Sequence, residues 1–252
     1  MVKYRFRHAG ELHALLRHAR SLKQLELLYI RFAGHDFVPE AAAESRLVLD
    51  RLLLRDFSAE DVLSVQRAFT DINLGNLKCL NVMGATEFYI PLLRANALTL
   101  EELEIIYDAP MNIGALAAAK DDTLFPPNAP LRAITINAPA SSPLLAAFRL
   151  CVPTASLSAL TTIALTIWRN VFPSDHRHWA ALADSLRLPA LPRLAALTID
   201  ADRFSSYVRS RRALPPGEVE DPLDPRIALV EWMAPLVAER PGVLRARAEG
   251  WL

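Results

Sequence analysis

Glycine is scarce in this chain, 8 residues in 252, and none of the eight falls in a Gly-x-Gly-x-x-Gly or Gly-x-x-x-x-Gly-Lys setting. The close backbone approach that a nucleotide phosphate needs at a helix start is therefore missing. Cysteine is scarcer still. Cys79 and Cys151 sit in no paired-spacing motif, which argues against a disulfide framework and for reduced thiols in an intracellular compartment, cytoplasmic or nuclear. Net charge is also absent: 28 Lys and Arg balance 28 Asp and Glu, so no positive excess draws the chain to nucleic acid or an anionic leaflet. Long apolar runs are missing too. The best candidate, Ile227 to Ala238, is broken by Glu231 and carries Pro235, well short of the roughly 18 uncharged residues of a membrane span. The charged start Met1-Val2-Lys3-Tyr4-Arg5-Phe6-Arg7 is followed by no apolar segment of the signal-peptide kind.

What is present is a repeat. A Leu-x-x-Leu-x-Leu phrase, with aliphatic swaps, recurs at Leu22-Leu25-Leu27, Leu49-Leu52-Leu54, Leu77-Leu80-Val82, Leu100-Leu103-Ile105, Leu131-Ile134-Ile136, Leu160-Ile163-Leu165 and Leu194-Leu197-Ile199. Its intervals run from 23 to 34 residues, enough for one strand and one helix per unit. The alternating end of each phrase predicts a short strand with both aliphatic side chains on one face. Between phrases the period becomes helical. Leu12, Leu15, Leu16 and Ala19 mark one stripe, Ser58 caps a helix carrying Val62, Leu63 and Phe69, and Ser142-Pro143 and Asp224-Pro225 are start signals. Ser174 is placed to cap a helix with Trp179, Leu182 and Leu186.

Strands separated by helices cannot return antiparallel without a long connection. The expected fold is therefore α/β: a leucine-rich-repeat solenoid, a right-handed β-α superhelix with parallel strands on the concave face and helices on the convex face. It spans 1–252 as one domain, with atypical capping units at both ends and an irregular loop or insertion at about 203–226, where Pro215-Pro216-Gly217 separates basic from acidic residues. Val2 to Phe6 is expected as a partial first strand and Val243 to Arg247 as a last one. The Asn or Cys that often follows the second strand leucine by three residues is replaced by Ile30, Phe57, Ala85, Asp108, Pro139, Trp168 and Asp202, so the array is irregular.

With these drifting repeats, the Leu188-Pro189-Ala190-Leu191-Pro192-Arg193-Leu194 joint, and Trp251 following the final Val243-Leu244-Arg245-Ala246-Arg247 strand, the chain resembles the leucine-rich-repeat region of fungal F-box-type proteins. That resemblance implies the substrate-recognition half of a ubiquitin-ligase receptor. The sequence begins inside the repeats and carries no F-box segment of the Leu-Pro-x-Glu-Leu kind, so adaptor docking is not carried over.

Side chains that alternate with the buried ones are expected to line the concave sheet: Gln24, Glu26, Arg51, Arg55, Asn81, Glu102, Glu104, Thr135, Asn137, Thr162 and Thr198. Arg51 and Arg55 near one end and Glu102 and Glu104 further along would select a protein partner of complementary charge. The expectation is a monomeric, non-catalytic interaction scaffold with no cofactor and no metal, its partners ubiquitin-ligase components or substrates, and neither nucleic acid nor membrane.

The histidines fit that reading. His8, His13 and His18 step by five around a helix as surface residues, and His176 and His178 in Asp175-His176-Arg177-His178 are two apart, off a common helix face, at a solvated helix start. Cys79 reads as an exposed strand position and Cys151 as a packed helix end. Two alternatives stand beside the scaffold. One is a hydrolase-like α/β enzyme with a site at strand ends, built from Glu101, Glu102 and Glu104 or from the His176 region. The other is a truncated or decayed family member.

Overall fold

The structure is a computed structural model that describes residues 5–19, 21–34, 48–55, 57, 59–69, 74, 76–83, 89–107, 124–152, 157–167, 173–186, 191–201 and 225–247. Each of the seven phrases ends in a strand: β2 (Gln24–Leu28), β4 (Arg51–Arg55), β5 (Cys79–Met83), β6 (Glu102–Ile106), β7 (Ala133–Ala138), β8 (Thr162–Ile167) and β9 (Ala196–Ala201). An eighth, β10 (Leu244–Arg247), follows where the last strand was expected. All eight form one parallel sheet, in chain order from β2 to β10 and not closed into a barrel. The later strands, AITINA, TIALTI and ALTIDA, are rich in β-branched residues that favour extended backbone. The earlier QLELL and RLLLR are not. There the burial of alternate leucines, not intrinsic propensity, decides for strand.

Strand register aligns the phrase side by side. Leu25, Leu52, Leu80, Leu103, Ile134, Ile163, Leu197 and Leu244 form one row, and Leu27, Leu54, Val82, Ile105, Ile136, Leu165 and Ile199 the next. A backbone device sets this register. From β2 to β8 the carbonyl just before each strand accepts two N–H groups from the start of the next: Lys23 from Asp50 and Arg51, Asp50 from Lys78 and Cys79, Lys78 from Glu101 and Glu102, and so on through Glu101, Arg132 and Thr161.

Helices cover the aliphatic side. They are α1 (Ala9–His18), α2 (Ala59–Ala68), α3 (Ile90–Ala95), α4 (Ser141–Cys151), α5 (His176–Ser185), α6 (Pro225–Trp232) and α7 (Ala234–Glu239). Among them α1 packs on α2, α4 on α5, and α5 on α6. Core polar groups are tied down. Asn96, fully buried after α3, accepts from the Leu77 N–H at 2.9 Å and donates to the Leu92 carbonyl at 2.9 Å. Asp61 on α2 accepts from the Phe32 N–H at 3.0 Å. Before β10 the chain turns at Gly242 with φ of 79°, a conformation that strains any residue with a Cβ.

Several sequence expectations are corrected. Residues 5 and 6 of the expected first strand do not extend the sheet. As β1 (Arg5–Phe6) they pair with β3 (Arg31–Phe32) in a separate two-stranded ribbon, closed by stacked Phe6 and Phe32 rings, while residues 1–4 lie outside the described residues. On α1 the buried stripe is Ala9, Leu12, His13 and Leu16. Leu15, expected in it, is 54% exposed, because α2 lies on the His13 side: the buried His13 ring contacts the Ala68 carbonyl at 2.9 Å. His13 is thus no surface histidine. Helix α4 starts at Ser141 with Ala140 as N-cap, so Ser142 is not the cap and Pro143 lies within the first turn, where its missing N–H costs nothing. Helix α5 has Asp175 as N-cap after a 3₁₀ turn holding Ser174, and Trp179, Leu182 and Leu186 are buried as expected. Of the insertion at 203–226, Pro225 and Arg226 already belong to α6; the rest, like Ser58 and Trp251, lies outside the described residues.

Leu80→Ala removes a fully buried member of the first row and should lower unfolding free energy by about 2–5 kcal/mol. Asn96→Ala, which strands the buried Leu77 N–H, should cost about 1–3 kcal/mol. Leu98→Ala, at 63% exposure, should stay within about 0.5 kcal/mol. Urea unfolding of the three variants checks this order.

Candidate binding face

The residues that alternate with the two aliphatic rows project from the other side of the sheet, where Gln24, Glu26, Arg51, Glu102 and Thr162 are exposed. The register arranges them in rows of their own. Gln24, Arg51, Cys79, Glu102, Ala133, Thr162 and Ala196 form the first, and Glu26, Leu53, Asn81, Glu104, Thr135, Ala164, Thr198 and Arg245 the second. In the third, Arg55 lies beside Leu28 and Asn137 between Ile106 and Thr166. All eleven expected residues are therefore on one face.

Six of them are brought into contact across β4 to β7. The Glu104 carboxylate is the centre. It accepts from Asn81 Nδ2, from Arg55 Nη2 at 3.4 Å and from Asn137 Nδ2 at 3.2 Å. Arg55 Nε also donates to Asn81 Oδ1 at 3.1 Å, and Asn81 is only 8% exposed as a result of this enclosure. Beside the network Arg51 meets Glu102 at 3.5 Å. Gln24 and Glu26 stand apart on the edge strand β2, exposed, and Thr135, Thr162 and Thr198 continue the rows along β7 to β9.

These contacts revise the charge reading. Arg51 and Glu102, and Arg55 and Glu104, were expected as separate patches of opposite sign; they are paired across β5 and neutralise one another locally. Exposed pairs of this kind contribute about 0–1 kcal/mol each, so the network orders a surface more than it stabilises the fold. Glu101 is likewise paired, with Arg132 at 3.9 Å. Among the described residues no group of three or more His, Cys, Asp or Glu is arranged to hold a metal ion.

Sequence reasoning missed the apolar members of this face, Leu53, Met83 and Ile106, although the alternation that named Asn81 and Glu104 also names Leu53 and Ala164. It also missed Cys79 as a contact residue. Its thiol donates to Glu102 at 3.5 Å, and its pKa is raised, first by burial and then by Glu102, with Arg51 opposing. Cys151, fully buried at the end of α4, is pushed up to about 12 by burial alone.

A second cluster joins α4 to α5. The buried Ser141 hydroxyl donates to the Asp175 carboxylate, and its oxygen lies 3.0 Å from His178 Nδ1. Asp175 is itself buried while His176 and Arg177 are exposed, so the helix start expected to be solvated is so only in part. The cluster ties the start of α4 to the start of α5. Set against family models, curated proteins and solved structures, the chain matches none of the three.

The thiols offer a direct check of the face. With its pKa raised, Cys79 should alkylate more slowly than a free thiol near pH 8, and Glu102→Gln, which removes two raising influences, should speed it on the order of threefold. Arg51→Ala should slow it. Cys151 should react only on unfolding, as followed by iodoacetamide labelling and mass spectrometry with and without denaturant.

Proposed function

We propose that this chain is a non-catalytic protein-interaction scaffold. In this reading it is an irregular leucine-rich-repeat solenoid similar to the substrate-recognition region of fungal F-box-type ubiquitin-ligase receptors, working inside the cell. The single observation that carries it is the sheet face opposite the aliphatic rows, where side chains freed from core packing form an ordered polar network. Glu104, Asn81, Arg55 and Asn137 hold one another in fixed orientations, so a partner meets preorganised hydrogen-bonding groups and little ordering entropy is lost on docking. Leu53 and Met83, both half-buried, add apolar contact between them. Because the charges are internally paired, specificity rests on the fit of donors and acceptors more than on long-range attraction.

The rival, a hydrolase with a site at strand ends, draws on Ser141, Asp175 and His178.

Affinity capture with mass spectrometry tests the scaffold reading. Wild type should retain a reproducible partner set containing ubiquitin-ligase substrates or subunits. Thr135→Arg with Thr198→Arg, which obstructs the open face, should lose that set with an unchanged melting temperature, whereas Arg177→Ala on the exposed side of α5 should keep it. Retention by the obstructed variant, or esterase activity abolished by Ser141→Ala in a folded protein, would overturn the proposal.

A further inference from the structure

The two ends of the sheet are unfinished in matching ways. At one end, the alternation of the ladder turns Leu25, Leu27 and Tyr29 toward β4, with the Tyr29 N–H donating to the Arg55 carbonyl. The backbone groups of Gln24, Glu26 and Leu28 therefore point out of the sheet, and among the described residues no strand pairs with them. At the other end Val243 turns its carbonyl to Leu197 on β9, so the backbone groups of Leu244 and Ala246 point outward. The aliphatic row records the same gap. Leu52 through Leu197 are buried within it, while its outermost members, Leu25 and Leu244, are only partly buried.

The helical layer ends in the same way. On α1, His13 faces α2 through the Ala68 carbonyl. Leu15, two residues on and nearly opposite at about 3.6 residues per turn, points away from α2 and is 54% exposed. On α6, Trp232 faces α5 through an edge contact with His176, while Val230 projects from the other flank. Val230 is 48% exposed and its neighbour Ile227 68%. Thus, among the described residues, three of the four exposed large apolar side chains sit on the outward flanks of α1 and α6. The unit contents complement as well. The N-terminal end offers β1 and α1 without a strand of the main sheet, and the C-terminal end offers β10, followed by no helix among the described residues.

We propose that a second copy of this chain docks head to tail, β10 of one copy pairing in parallel with β2 of the next. Continuing the existing register sets Leu244 beside Leu25 and Arg245 beside Glu26, both of the latter exposed and opposite in charge. The outward groups then interleave as elsewhere in the sheet, with the Leu244 N–H donating to the Gln24 carbonyl and the Glu26 N–H to the Leu244 carbonyl. Behind them α1 of the incoming copy stacks on α6, covering Leu15 with Val230 and Ile227. The contact is heterologous, so it repeats: the product is a ladder of oligomers and not a closed dimer. This departs from the single-chain expectation and does not depend on what the open face binds.

Sedimentation velocity and light scattering on the full chain over serial dilution test it. Wild type should show an average mass that rises with concentration through successive multiples of the monomer. Glu26→Lys or Arg245→Glu should weaken association about tenfold, and the double variant carrying both should recover most of it. Leu15→Glu should give monomer with an unchanged melting temperature. Glu26→Pro should do the same, because the N–H it removes points away from β4. A monomer at every concentration would overturn the proposal, as would a discrete dimer indifferent to these substitutions or a charge exchange that fails to restore association.

Discussion

Parallel pairing in step is what the rest of this molecule depends on. When Leu52 lies beside Leu80 and Leu80 beside Leu103, each aliphatic side chain is sealed on two sides by its counterparts in the neighbouring units and from behind by helices. No unit could bury its own pair alone, since a short strand and one helix leave most of an aliphatic surface in water. Stability therefore accumulates unit by unit along the sheet. The same dependence explains why Leu25 and Leu244, with a neighbour on one side only, stay partly exposed although their residue type and register match those inside.

Relieved of core duty, the alternate positions of the strands vary freely, and chemistry concentrates there. Across β4, β5, β6 and β7 they hold arginine, asparagine, glutamate and asparagine in mutual contact. Further along, β8 and β9 carry threonine and alanine, with Asp200 beside Thr166 in the third row. A carboxylate with three donors keeps a fixed orientation, whereas a lone glutamate on a strand would sample many. The face thus has one region held by a shared carboxylate across β4 to β7 and another of shorter side chains, with Asp200 at its end.

The strands were legible because period-two burial leaves its imprint on residues four to six positions long, and each of the seven phrases became one. What escaped was set by contacts distant in sequence. Leu15 looked like a core residue by helical spacing, and only the position of α2, which buries His13 instead, moves the stripe. Ser142 had the chemistry of a cap, but Ser141 is the residue held in place, by Asp175 and His178 on another helix. Asn96 gave no signal at all, since a buried asparagine is recognisable only through the Leu77 and Leu92 backbone groups it satisfies. On the open face the residues were named correctly while their pairing was not. Sequence separation made Arg51 and Glu102 seem distant, and the sheet places them on either side of β5, close enough to pair.

Hydrophobic alternation leaves one ambiguity that other forces must remove. A slip of two residues between neighbouring strands would keep every leucine on the helical side, so burial fixes register only to within an even number of residues. Two features break the tie. Carbonyls that receive paired N–H donors recur at one position before each strand from β2 to β8, at Lys23, Asp50, Lys78, Glu101, Arg132 and Thr161, and a slipped strand would forfeit them. The first five of these residues also alternate in sign along the sheet, with Arg132 and Glu101 close enough to pair. Cross-strand charge is worth little per pair at a surface, but here it acts between arrangements of equal burial, where a small difference is sufficient to choose. Aliphatic spacing thus supplies the stability, while backbone and charge at the strand entrances select which of the equally buried alignments is used.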